Sequence, residues 1–155
     1  MQLFLIAIGL LVSTLFPAKT EAAYTTIMGE TGIKYSNSYS NCVVDFYGGI
    51  GNNGTGQCSL FVPITIESGK TLASVTLYYF DNTGSQYIQA YLSRRNLSIQ
   101  TTGTSLSSMS DTTTSSSIQY YDLSGGGAVS SIDNYYLIVH LRDGTVFRGA
   151  RIYYY

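Results

Sequence analysis

Chemistry has few places to reside in this chain. There is one histidine among 155 residues, and the alternation of Leu137, Val139 and Leu141 puts His140 on the outward side of a strand with Tyr136 and Ile138. A nucleophile–base pair also needs an activated serine, and no Gly-x-Ser-x-Gly elbow occurs in the sequence. Glycoside cleavage needs two carboxylates flanking one cleft, whereas Asp45, Glu67, Asp81, Asp122 and Asp133 are dispersed and mostly adjoin turns. Asp81-Asn82 and Asp133-Asn134 have oxygens suited to calcium. The dense acidic spacing of a calcium loop is missing, however, and Asp and Asn at strand ends ordinarily serve the turn itself. The residues therefore predict no enzyme, no cofactor and no metal site.

Tyrosine is what the chain has in quantity: 15 of them, with no tryptophan. Read in strand phase, Tyr78, Phe80, Tyr87, Tyr91, Tyr136, Tyr153 and Tyr155 all point away from the aliphatic side of their segments. Gathered in one sheet, these rings and Arg151 would make an exposed amphipathic patch on which a sugar ring stacks while hydroxyls and amides bond its edge. The candidate ligand-binding residues are accordingly Tyr78, Tyr87, Tyr91, Tyr136, His140, Arg151, Tyr153 and Tyr155. Packing supplies the competing explanation, because aromatic side chains are favoured in strands whatever the function.

The elements that must position these side chains read as β throughout. The apolar run at 3–15 is too short to span a membrane comfortably and is followed by small residues, which predicts a secretory signal peptide over 1–22 and one domain over 23–155. Export places Cys42 and Cys58 where a disulfide forms and persists. The pair closes a short strand, 43–47, and the loop of glycine and asparagine after it. Segment 71–81 alternates cleanly, with Ala73, Val75, Leu77 and Tyr79 on one face and Ser74, Thr76, Tyr78 and Phe80 on the other. Segment 86–95 presents Ile88, Ala90 and Leu92 inward and, after the turn at 81–85, predicts an antiparallel hairpin. Pro63 within 58–66 predicts an edge or a bulge. Residues 98–117 form a Ser/Thr tract expected to be a long excursion with at most one weak strand, and Gly125-Gly126-Gly127 a hinge. Segments 135–142 and 146–155, joined by Asp143-Gly144, predict a second hairpin. With a weaker run at 25–28, there are strands enough for two packed sheets: an all-β antiparallel sandwich, jelly-roll-like, with one disulfide.

Charged residues are only 11% of the chain and the net charge is -1. The one adjacent basic pair is Arg94-Arg95, which excludes a phosphate-binding surface and hence nucleic acid. Once the leader is removed, no membrane segment is expected.

Two stretches resemble a recurrent pattern of uncharacterised bacterial exported proteins. Phe61-Val62-Pro63-Ile64-Thr65-Ile66-Glu67-Ser68-Gly69-Lys70-Thr71-Leu72, continuing to Tyr78-Tyr79-Phe80-Asp81-Asn82, is similar to their VPxxLPxGAxxTxxxxYYYDN segment. Asp133-Asn134-Tyr135-Tyr136-Leu137, and the close at Gly149-Ala150-Arg151-Ile152-Tyr153, resemble their DNxxYxYYLxVxL…GVRIxY ending. Ile66-Glu67, where those proteins carry Leu-Pro, and the cysteine loop depart from the pattern. The resemblance implies a sandwich and a bacterial exported origin, and no catalytic residue.

Two readings follow. The first is a secreted or periplasmic, non-catalytic structural or cell-surface interaction domain. The alternative is a carbohydrate-binding module that meets polysaccharide or a cell-surface glycan on a tyrosine-rich sheet face.

Overall fold

The computed structural model describes residues 22–34, 42–44, 48–54, 56–81, 87–98 and 103–155. The apolar leader, Asp45 and Asn82 lie outside them.

The described residues form eleven strands and one 3-10 turn: β1 (Ala23–Met28), the turn (Gly29–Thr31), β2 (Ile33–Lys34), β3 (Cys42–Val44), β4 (Ile50–Asn52), β5 (Cys58–Ile64), β6 (Thr71–Asp81), β7 (Ile88–Asn96), β8 (Thr104–Asp111), β9 (Ser115–Ala128), β10 (Asp133–Leu141) and β11 (Thr145–Tyr154). They make two antiparallel sheets. The first runs β3-β4-β11-β6-β9, with β1 also on β11, and the second runs β2-β5-β10-β7-β8. Since β6 pairs along the whole of one edge of β11, β1 and β4 share the other, β1 beside residues 149–154 and β4 beside 146–147.

Alternation fills the space between the layers. Leu60, Val62, Ile88, Ala90, Leu92, Leu137, Val139 and Leu141 face in from the second sheet, Val75, Leu77, Leu123, Phe147 and Ile152 from the first, and all are fully buried. Each large aliphatic side chain so placed contributes roughly 1.5–3 kcal/mol relative to exposure. The Cys42–Cys58 disulfide, with Cα atoms 5.1 Å apart, ties β3 of the first sheet to β5 of the second. The loop between them is organised by the buried Asn52, whose amide donates to the carbonyls of Gly56 and Leu141 at 2.8 and 2.9 Å and whose Oδ1 accepts from Gly54 N–H. Pro63 pairs with Tyr136 on one side and lies past the two-residue ladder of β2 on the other, where a missing N–H costs little.

Several connections differ from the sequence expectation. β6 and β7 are not a hairpin, because they belong to opposite sheets, and the same holds for β10 and β11. The Asp143-Gly144 turn is real, with Gly144 at φ 76° and Thr145 N–H bonded to the Arg142 carbonyl, but the chain leaves it into the facing layer. Turn chemistry fixes the reversal of the chain, and inward aliphatics on both flanks are satisfied equally by lateral pairing or by packing across the core. Within the Ser/Thr tract, 99–102 lie outside the described residues, while Thr104–Asp111 form β8 and β9 begins at Ser115, since hydroxyl side chains suit an exposed ladder and Met109 anchors β8 to the core. The three glycines lie inside β9, Gly127 opposite Leu72, rather than at a hinge. Ala73 is exposed, because a register shift between Leu72 and Ser74 places Leu72 in the core instead.

Candidate functional site

Register alone assembles a surface on the outer face of the first sheet. Met28, Gly149, Tyr78 and Tyr120 form one cross-strand row; Thr26, Arg151, Thr76 and Asp122 form the next; Tyr24, Tyr153, Ser74 and Ser124 form the third. Four strands, β1, β11, β6 and β9, each contribute one residue per row, and between the rows Val75 and Leu77 of β6 and Ala150 and Ile152 of β11 point into the core.

Thr76 and Asp122 of the middle row are short and are flanked by the rings of Tyr78, Tyr120 and Tyr153, so the face is hollowed there. A cavity of about 310 Å³ is lined by Thr76, Tyr78, Tyr120, Asp122 and Tyr153. Its volume is at the low end for small-ligand clefts. Thr76 forms the floor and donates its hydroxyl hydrogen bond to Asp122 Oδ1, which holds the carboxylate against the sheet. Tyr120, on the last strand of the sheet, is 71% exposed and presents its ring to solvent. The Arg151 guanidinium lies 4.9 Å from the Tyr24 ring centroid and 5.8 Å from that of Tyr78, and Tyr24 and Tyr153 are 6.1 Å apart. Hydrogen bonding to the Tyr153 phenol and the nearby Tyr78 favour the charged guanidinium, so the arginine is a fixed cation among the rings.

Gly149 makes this packing possible. Its φ is 146°, and a Cβ there would stand 2.4 Å from the Ile27 carbonyl oxygen, so β1 closes on β11 only because no side chain intervenes.

Of the residues proposed from sequence, Tyr78, Arg151 and Tyr153 come together on this face. Tyr155 continues β11 past Tyr153, with its backbone paired to Thr71, and does not line the cavity. Tyr91, Tyr136 and His140 lie on the opposite face of the molecule, in the second sheet. The single patch expected from sequence is thus divided in two, because the strand pairs that carry it belong to different layers. Tyr87 stands at the end of that same second sheet, opposite Arg142, whose backbone N–H bonds the Tyr87 carbonyl and whose Nη2 donates to its hydroxyl at 2.9 Å. His140 Nδ1 is 2.7 Å from Ser59 Oγ and 2.6 Å from Gln57 Nε2. Burial and the charge of Arg142 both push the imidazole below its usual range. Sequence reasoning missed Tyr24, Thr76, Tyr120 and Asp122 as partners. The spacing of Tyr120 and Asp122 gives them one face, but no aliphatic alternation in β9 says which.

Asp81 is fully buried at the end of β6, opposite Thr145, and Asp133 opens β10. Among the described residues no three His, Cys, Asp or Glu side chains gather as a metal site, and no helix is long and apolar enough to cross a membrane.

No family model and no curated protein matches the chain. Its architecture does match solved structures. The CBM36-1 domain of a multidomain xylanase from the hindgut metagenome of Trinervitermes trinervoides superposes with a TM-score of 0.56 at 14% identity over 84% of this chain and 96% of that one. The xylan-binding module CBM15 gives 0.56 at 8% identity over 86% and 97%. The GH26-CBM35 β-(1,4)-mannanase of Podospora anserina gives 0.56 at 11% identity over 83% of this chain, which spans only 27% of that enzyme. The likeness is one of fold. It joins this sandwich to the jelly-roll architecture of carbohydrate-binding modules.

Proposed function

We propose that the mature chain is an exported, non-catalytic carbohydrate-binding module that holds a neutral polysaccharide on the outer face of the first sheet. The observation that carries this reading is the hollow between Tyr78 and Tyr120 on one side and Tyr153 on the other, floored by a hydrogen-bonded Thr76–Asp122 pair. A pyranose ring has an apolar face of C–H groups and a polar rim, and this surface offers rings for the first and a carboxylate and hydroxyls for the second. Asp122 and Arg151 lie in one cross-strand row, so their opposite charges offset and the face suits a neutral sugar. Fold likeness to modules of this class supports the reading, as do the disulfide and the predicted leader for export.

Gel retardation in soluble xylan, mannan and β-glucan tests it. One of these should slow the mature protein, and Tyr120→Ala or Tyr153→Ala should each weaken binding about five- to tenfold, the worth of roughly 1–1.5 kcal/mol of aromatic contact. Unaltered mobility across the panel would reject the proposal. A second reading, a structural domain that self-associates, draws on β9, which ends the first sheet and exposes Ile118 (59%) beside Tyr120. Concentration-dependent sedimentation without glycan binding would favour it.

A further inference from the structure

The opposite face of the molecule carries a second hollow of different chemistry. Phe61, Arg95, Leu97, Asn134 and Tyr136 line a cavity of about 230 Å³ on the second sheet. Phe61 and Tyr136 pack at 4.9 Å between centroids with their planes 31° apart, and both are half-buried, which fixes them as an apolar floor. Asn134 and Arg95 are directly opposed across the β10–β7 ladder and both are exposed, so an amide and a guanidinium rise together at the rim. Leu97, 59% exposed, forms the remaining wall. A side chain at Gly103 would overlap the Tyr136 hydroxyl, so the glycine is what lets that ring lie where it does.

None of the five lining residues is acidic. The hollow on the first sheet differs, since the charged residue lining it is Asp122. An open cation paired with an amide donor, above an aromatic floor, suits a ring with one apolar face and one carboxylate, because a guanidinium fork meets a carboxylate in two parallel hydrogen bonds. We propose that this hollow binds a hexuronate residue of an acidic polysaccharide, with Arg95 and Asn134 on the carboxylate and Tyr136 and Phe61 under the sugar ring. The site goes beyond the neutral-glycan reading and does not depend on it. Where both faces are occupied, one molecule bridges a neutral and an acidic chain from opposite sides of the sandwich.

Titration of the mature protein with trigalacturonate, xylohexaose and mannohexaose by calorimetry tests the inference. Trigalacturonate should bind, and Arg95→Gln should weaken it about tenfold, near the 1.4 kcal/mol of a charge-assisted contact. Asn134→Ala should weaken it less. Both side chains are exposed, and an unchanged melting temperature would verify that the variants fold. Raising the salt from about 50 to 300 mM should weaken the uronate and leave neutral oligosaccharides unaffected. Tyr120→Ala should do the converse of Arg95→Gln, lowering neutral-sugar affinity alone, so failure of either face is separately visible. Absence of trigalacturonate binding, equal binding by Arg95→Gln, or preference for a sulfated oligosaccharide over the uronate would each overturn the proposal.

Discussion

At the residue scale, one polar pair links the two sheets beside the core. Tyr79 donates to Asp111 Oδ2 at 2.6 Å. Burial, that hydrogen bond and the charge of Asp111 push the phenol well above its ordinary range. Burial alone would raise the Asp111 carboxyl, but hydrogen bonds from Tyr79 and Thr113 outweigh it and hold the group below its usual value. His140 is the residue with a consequence near neutral pH. Its folded pKa is depressed, so the unfolded chain binds the extra proton first, and stability is full above the ordinary value of 6.5 and declines as pH falls through the lower folded value. Urea midpoints measured between about pH 7.5 and 5 should fall with acidification, and His140→Gln should flatten the slope over that window. A slope unchanged in the variant would assign the decline to other groups.

At the element scale, the site depends on how closely strands approach and where they slip. The irregularity between Phe147 and Gly149 in β11 shifts the register so that Arg151 and Tyr153 share the outer face with Thr76 and Ser74. Gly149→Ala introduces both an unfavourable φ and an overlap with the Ile27 carbonyl, and the expected loss is about 3 kcal/mol, read as a lowered urea midpoint. Because β1 must move, Tyr24 and the Arg151 guanidinium separate, and the glycan affinity proposed for this face should fall with stability. Gly125 plays a similar part in β9, where a Cβ would stand 2.0 Å from the Leu72 carbonyl oxygen at the neighbouring shift.

At the scale of the whole molecule, one covalent link joins the two layers. Cys42 and Cys58 are 16 residues apart in sequence, and replacing both by serine should cost about 3 kcal/mol through the freed unfolded chain. Denaturation of the double variant against the oxidised protein measures it. The disulfide lies beyond β4, on the far side of β11 from Thr76, Tyr78 and Asp122. The folded double variant should therefore retain the glycan affinity proposed for that face, and a parallel loss of binding would mean that β3 and β4 tune the site.

Alternation and turn residues made the strands readable. Val75, Leu77, Leu137 and Val139 could only face a core, Cys42 and Cys58 could pair once exported, and Tyr78, Arg151 and Tyr153 had to point away from the aliphatic side. Those are properties of one strand at a time, set by a two-residue repeat that the chain carries locally. Which strands lie side by side is not local. The same Asp143-Gly144 reversal serves a hairpin or a crossing between layers, and the choice falls to the sum of packing over both sheets. That choice put Tyr91, Tyr136 and His140 on one face and Tyr78 and Tyr153 on the other. It also brought Asp122 and Tyr120 beside Thr76 and Tyr78, across a separation in sequence that no spacing rule spans.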